Sequence, residues 1–354
     1  MNKEIEPYIA MSQITVVEAM RRIDKGARGI LFIVDGEERL IGCVTDGDIR
    51  RWLISTADLS SPISRLMSYS PIYMHESEII DTEAYMKRRS ITALPILNSK
   101  HQIVKIVFLN AIGQPGNDQD IHSLSNVPVV VMAGGKGTRL YPYTRILPKP
   151  LIPVGDLPIV EHIIRLFCRF ECKDFYLIVN HKKNMIKSYF NEIDEDYNIV
   201  FVDEEAPLGT GGGLSLLKGM INCTFILTNC DILIKEDFFK IYDFHKKNKN
   251  IITMICSLKN FCVPYGVVEI GKHGELISMQ EKPNFSFFTN TGCYIVEPEV
   301  IMGLKENQII DFPNIVENYK NQGKRIGVYP IGESAWLDMG RLDELENMRT
   351  SIEK

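Results

Sequence analysis

Ala133-Gly134-Gly135-Lys136-Gly137-Thr138-Arg139-Leu140, followed by Leu147-Pro148-Lys149-Pro150, decides how the larger part of this chain is read. It comes directly after Val127 to Met132, an apolar run that reads as a buried strand. The glycines at 134, 135 and 137 let backbone amides approach a phosphate without interference from Cβ atoms. Arg139 and Lys149 add positive charge from the flanking segments, which suits a polyphosphate better than a neutral ligand. Two familiar glycine motifs fail here. A Walker loop needs Ser or Thr after Gly-Lys, but Gly137 follows Lys136. The dinucleotide fingerprint needs glycine where Leu140 stands.

From Val127 onward, apolar strands alternate with amphipathic helices. The strands are Val127–Met132, Phe175–Val179, Ile199–Val202, Phe225–Thr228 and Ile251–Ile255. Helices are expected at Ile159–Phe170, Met185–Asn191, Gly212–Lys218 and Phe238–Lys247. This order implies right-handed βαβ units and a Rossmann-like, mostly parallel α/β sheet with ligands at its C-terminal strand ends. Asp231 follows one such strand, and Asp338 ends the last one, Ala335-Trp336-Leu337-Asp338. Two carboxylates converging from separate elements would suit Mg²⁺ beside phosphates; singly, each reads equally well as a turn or cap residue.

With 354 residues the chain is long enough for two domains. The net charge of −5 is spread evenly and no region is basic, so no nucleic-acid partner is expected. No apolar run reaches the length of a membrane span, and Met1 to Pro7 lack a signal-peptide core, so no membrane partner is expected. The eight cysteines form no Cys-x-x-Cys pair, and Cys168 and Cys172 fit helix packing. Free thiols in a reducing cytoplasm are the expectation.

The first ~115 residues form an α+β region that repeats itself with an offset of 63. Ile30 to Asp35 aligns with Ala93 to Asn98, Leu40-Ile41 with Ile103-Val104, and Ile49 with Ile112. Upstream, Val17, Ile23 and Ala27 match Ile80, Met86 and Ser90. Each copy, about 8–57 and 62–115, is too small to bury its apolar face alone, and pairing the copies would solve this. Residues 116–126, the end of a Gly- and Pro-containing run, read as a linker to the domain spanning 127–354.

The repeated region resembles a tandem of CBS domains, a likeness carried by Gly42-Cys43-Val44-Thr45-Asp46-Gly47-Asp48-Ile49-Arg50. The resemblance implies a regulatory purine nucleotide held by Thr45 and Asp48. Helix capping is the other reading of the same two residues. In the second copy Phe108 and Ala111 replace the Thr and Asp, and Lys105 replaces the Gly. At most one ordinary nucleotide site is therefore expected, and dimerisation alone remains open as the role of the pair.

Residues 127–354 resemble nucleotidyltransferases that make NDP-sugars from an NTP and a sugar 1-phosphate. The matching elements are Gly134 to Leu140, Pro148-Lys149-Pro150, Pro207-Leu208-Gly209-Thr210-Gly211-Gly212 and Asp231. Tyr265-Gly266, Glu281-Lys282-Pro283, Thr291-Gly292 and Trp336-Leu337-Asp338 follow in the family's order. The resemblance implies that Gly134, Gly135, Gly137 and Thr138 cradle the nucleotide phosphates, with Arg139 gripping the departing pyrophosphate. It assigns Lys149 to the α-phosphate, Lys282 to the sugar phosphate, and Gly266, Glu281 and Gly292 to the sugar. It also implies that Gly209 lines the base pocket and that Asp231 and Asp338 carry Mg²⁺. Cys230 stands where the family usually has Gly, which would crowd the metal loop.

Glu204 and Glu205 precede Pro207-Leu208-Gly209, the segment that the resemblance assigns to the base. A carboxylate only accepts hydrogen bonds, and guanine offers two adjacent N–H donors, so this tilts the reading to GTP. Solvated loop charges remain the other reading. A CBS pair joined to this transferase also resembles the glucosamine-1-phosphate guanylyltransferases of legionaminic acid biosynthesis. That likeness implies glucosamine 1-phosphate as the acceptor and a place in surface-glycan or nonulosonic acid biosynthesis. The short segment after Asp338 leaves no room for an acyltransferase β-helix, so a single activity is expected, in a homo-oligomer. Two rivals remain: a uridylyl-, thymidylyl- or cytidylyltransferase, and a nucleotide sensor without catalysis.

Overall fold

The computed structural model describes residues 5–26, 28–78, 81–89, 91–108, 123–193 and 195–352. Ala27, Ile80, Ser90, Ala111, Ile112 and linker residues 116–122 lie outside them. The chain divides into two compact units. One holds the described residues of 1–121 together with Asn260–Ser286 and Gly332–Ser334; the other holds the rest.

In the first unit the repeat is visible in the backbone. Its elements are β1 (Ile9–Met11), α1 (Val16–Gly26), β2 (Ile30–Val34), β3 (Leu40–Thr45) and α2 (Asp46–Thr56). The second copy supplies β4 (Met74–His75), α3 (Thr82–Arg88), β5 (Ala93–Leu97) and β6 (Ile103–Phe108). Each copy forms a three-stranded sheet with one parallel and one antiparallel pairing. Even the irregularity repeats: the register shift between Ile33 and Val34 recurs between Ile96 and Leu97. The copies bury their apolar faces on each other, with Phe32, Val34 and Leu40 in one cluster with Ala93, Leu97 and Ile103. Arg39 bridges Gln102, its own counterpart in the second copy. Phe108 packs on Tyr8 at 4.8 Å between ring centroids, with the Arg28 guanidinium 4.9 Å from its ring. The unit also contains an antiparallel hairpin of Gly266–Ile270 and Leu276–Glu281.

The second unit is built on a seven-stranded sheet. Its strands are β7 (Val129–Met132), β8 (Asp174–Val179), β9 (Asn198–Asp203), β10 (Phe225–Asn229), β11 (Ile252–Cys262), β12 (Asn284–Val296) and β13 (Ile326–Ile331). Their spatial order is β9-β8-β7-β10-β12-β11-β13. Strands β7 to β10 pair in parallel, as do β11 and β13, while β12 runs antiparallel to β10. Both faces are covered, so the strands read as continuous apolar runs. Val129 and Val131 join one core, while Val130 joins the core on the opposite face.

Helix Phe238–Lys247 shows how local sequence sets an element. Asp237 caps it by accepting from Phe239 N at 3.0 Å, and Phe238, Ile241 and His245 face inward at helical spacing. The helix expected at Gly212–Lys218 is different. A single α-turn, Gly209–Gly212, passes into a 3₁₀ stretch, Gly213–Leu217. Four glycines in five positions disfavour a regular α-helix there.

The strand order reverses at β7: its successor β8 lies on one side and β10 on the other. A parallel sheet opens its ligand crevice at the C-terminal ends of strands beside such a reversal. The glycine-rich loop leaves β7 there, and Cys230-Asp231 leave β10 beside it.

Candidate active site

Two adjoining cavities of about 350 and 380 Å³ open at these strand ends and share Arg139, Thr210, Asn229, Asp231, Asp311 and Gly340 in their linings. The first is lined also by Gly134, Gly135, Gly137, Thr138, Lys149, Glu204 and Gly209. Gly292 and Asp338 line the second. Residues spread over some two hundred positions thus meet around one crevice.

The phosphate loop is held from behind. Gly137 has φ +66°, and a Cβ there would lie 2.9 Å from Thr144 Cγ2 and 3.1 Å from Lys149 Cβ. Only glycine fits both constraints. Thr144 Oγ1 donates to the Gly137 carbonyl at 2.8 Å. Lys182 Nζ donates to the carbonyls of Thr144, Arg145 and Ile146 and so fixes the segment leading to Lys149. Arg139 stands exposed in the short turn Thr138–Leu140, at the junction of the two cavities.

Lys149 Nζ bonds the Asp231 carboxylate. Burial alone would lower the Lys149 pKa, but Asp231, Cys230 and Asp338 outweigh it, and the net shift is upward. Asp231 and Asp338 are brought together by pairing of Ile232–Ile234 with Trp336–Asp338, and Met339 N donates to the Asp231 carbonyl at 2.8 Å. Burial first, then the charges of Asp231 and Glu344, push the Asp338 carboxyl up to about 6. One lysine therefore leaves excess negative charge in place.

That charge and the hard oxygen donors fit a divalent cation. Among the described residues no group of three or more His, Cys, Asp or Glu side chains could hold a metal. Asp231 and Asp338 would therefore supply two ligands, leaving the other positions to phosphate oxygens and water. Cys230 lines the first cavity beside Lys149 and Asp231. Its side chain is buried in the apolar core, which pushes the thiol up to about 12. All eight cysteines are free thiols.

The two glutamates part company. Glu204 is 6% exposed, lines the cavity, and accepts from Leu208 N at 3.1 Å through Oε1; burial raises its pKa. Glu205 is exposed and lines neither cavity. Gly266, Glu281 and Lys282 lie together on the hairpin of the first unit, where Gly266 pairs directly with Glu281. They line neither cavity. Thr45 and Asp48 engage each other: Thr45 Oγ1 accepts from Asp48 N at 3.2 Å, and Asp48 Oδ2 accepts from Thr45 N at 2.9 Å. This is a capping box on α2.

Sequence reasoning missed Asp311 and Asn229. Asp311 precedes helix Phe312–Asn321, where an N-cap is the obvious reading, yet its side chain does not cap. It instead accepts from Thr210 N at 3.0 Å, pinning the loop that carries Gly209. Asn229 was visible at a strand end, but nothing local marked its amide as reaching toward Gly292.

Residues 128–354 match the nucleotidyl transferase family, and residues 1–55 match the CBS domain family. The bifunctional protein GlmU of Methanococcus maripaludis is 32% identical over 221 residues, covering 60% of this chain and 51% of that protein. The mannose-1-phosphate guanyltransferase of Saccharomyces cerevisiae is 30% identical over 225 residues, covering 60% and 61%. The chain thus spans between half and about three fifths of the length of these curated relatives. Among solved structures, a thymidylyltransferase-type protein of Bacillus anthracis, described as a putative glucose-1-phosphate thymidylyltransferase, superposes with TM-score 0.51 at 20% identity, over 64% of this chain and 94% of its own. HddC from Yersinia pseudotuberculosis gives TM-score 0.51 at 20% identity, over 64% and 99%. These two show a shared fold. With its family match covering well over half of its length, the chain belongs to the nucleotidyl transferase family.

Proposed function

We propose that this protein transfers a nucleotidyl group from an NTP to a sugar 1-phosphate, giving an NDP-sugar and pyrophosphate. The favoured pair is GTP and glucosamine 1-phosphate, with Mg²⁺ as the ion and the cytoplasm as the compartment. The observation that carries this reading is the meeting of the glycine loop, Arg139, Lys149, Asp231 and Asp338 around one crevice.

A non-bridging oxygen of the sugar phosphate attacks the α-phosphorus, the bond to the β-phosphate oxygen breaks, and pyrophosphate leaves with the electron pair. The nucleophile is already ionised at neutral pH, so no base is needed. The obstacle is repulsion between two anions, and the remedy is positioning with charge neutralisation. Amides of Gly134 to Thr138 hold the phosphates, Lys149 meets the α-phosphate, and Arg139 meets the leaving pyrophosphate. Asp231 and Asp338 would hold the ion, which when bound would neutralise phosphate charge. Lys282, Gly266 and Glu281 on the hairpin, with Gly292, serve the sugar phosphate and sugar. Glu204 rather than Glu205 meets the base, since it alone lines the cavity.

Support for guanine comes from Glu204 and from the guanyltransferase relatives of Saccharomyces cerevisiae and Mycobacterium tuberculosis. We further infer a homo-oligomer and a regulatory purine nucleotide near Thr45 and Asp48. The test of the base is pyrophosphate release from a panel of NTPs with glucosamine 1-phosphate. GTP should lead, and uridine transfer exceeding guanine transfer would sink the assignment.

A further inference from the structure

We propose that Arg21 and Asp24 of α1 are positioning residues for the sugar-phosphate side of the reaction, an inference that rests on the function proposed above. The two lie three residues apart and so share one face of the helix. Arg21 Nε donates to Asn260 Oδ1 and its Nη2 to Ser286 Oγ, each at 2.8 Å. Ser286 Oγ donates in turn to Asn260 Oδ1 at 2.7 Å. Asn260 and Ser286 are the two ends of the segment that carries the hairpin, so one guanidinium closes that segment at its neck.

Asp24 does the same for a second segment. Its Oδ2 accepts from Glu333 N at 3.0 Å, and its Oδ1 from Ser334 Oγ at 3.4 Å. A Cβ on Gly332 would lie 2.4 Å from Asp24 Oδ1, so only glycine permits this approach. Asn260 Nδ2 donates to Glu333 Oε2 at 3.2 Å and joins the two clamps into one network.

The clamped segments lead, along the chain, to the groups assigned to the acceptor. The hairpin carries Glu281 and Lys282, β12 continues from Ser286 to Gly292, and Ser334 runs within four residues to Asp338. None of them leads to the glycine loop or to Lys149, which serve the nucleotide. A charge-assisted fork with two polar partners is geometrically demanding, and loosening it frees the neck without emptying a core. Helix α1 is thereby the element through which the N-terminal region sets the affinity for the sugar phosphate.

The test uses the full chain as wild type, Arg21→Ala and Arg21→Lys, with initial rates measured as each substrate is varied. In Arg21→Ala the KM for the sugar 1-phosphate should rise about five- to tenfold, with the KM for the NTP changed by less than about twofold. Arg21→Lys, which keeps the charge but loses the fork, should recover part of the loss. Unchanged KM values, or a parallel rise in both, would overturn the proposal. Hydrogen exchange of residues 266–281 gives a readout independent of turnover. Faster exchange there in Arg21→Ala supports the clamp, and identical exchange overturns it. A wild-type protein without turnover would refute the proposed function, while the exchange result would still decide the clamp.

Discussion

Lys149 and Asp231, 82 residues apart in the chain, form an ion pair in the crevice with only 13% and 14% of their side chains exposed. Neither charge is well hydrated, and each is the other's main compensation. The pair holds Lys149 protonated in the crevice, against Gly137 of the glycine loop. It also presents Asp231 next to Asp338.

Breaking such a pair from one side is costly. Lys149→Met should lower stability by about 3 kcal/mol, because two carboxylates then face each other unpaired. Urea denaturation would measure it. The double variant Lys149→Met, Asp231→Asn should recover a good part of that loss, and simple additivity would show that the two groups do not interact.

Asp338 supplies a pH signature. Burial and the neighbouring charges of Asp231 and Glu344 push its carboxyl up to about 6, above the 3.8 of the unfolded chain, so the native state binds the extra proton between those values. The stability that this group contributes is full below about pH 4 and is lost as pH rises through about 6. Asp338→Asn should therefore be more stable than wild type by about 2 kcal/mol above pH 6 without metal, the gap closing toward pH 4. Urea titrations of both proteins in chelator would read this. In wild type, affinity for a divalent ion should fall below about pH 6, since the ligand must be ionised.

Gly137→Ala tests the phosphate loop. The positive φ and the contact with Thr144 should together cost about 2 kcal/mol or shift the loop. A raised KM for the NTP with an ordinary KM for the sugar phosphate is expected from steady-state kinetics.

Thr45→Val removes the capping box of α2 and should destabilise the protein by about 1 kcal/mol with or without nucleotide, as thermal melts would show. If Thr45 also serves a regulatory nucleotide, calorimetry with AMP, ATP and GTP on the full chain should lose its binding heat in the variant.

Much of this molecule is legible from local pattern. The helix expected at Phe238–Lys247 occupies those residues, because its Asp237 cap and its buried i, i+3, i+7 positions are all local signals. The repeat is equally plain in the aligned residues, whereas the register shift shared at Ile33 and Ile96 shows only in the strand pairing. Local pattern misleads at Gly212–Lys218, where apolar spacing suggests an α-helix but the chain forms a 3₁₀ stretch over Gly213–Leu217 after an α-turn at Gly209–Gly212. Long-range pairs leave no local trace. Thr210 and Asp311 are 101 residues apart, and nothing near either residue names the other. The hairpin Gly266–Glu281 is legible in the sequence through its motifs rather than its shape. Its strands are exposed throughout, so they lack the one-sided burial that makes a strand recognisable.

The central chemistry is best tested by ³¹P NMR of a complete reaction of purified protein with GTP, glucosamine 1-phosphate and Mg²⁺. Pyrophosphate and a nucleoside-diphosphate sugar should appear together in equal amounts, and Asp231→Asn should form neither. Release of inorganic phosphate in place of pyrophosphate, or product formation undiminished by Asp231→Asn, would contradict the assignment of this crevice to nucleotidyl transfer.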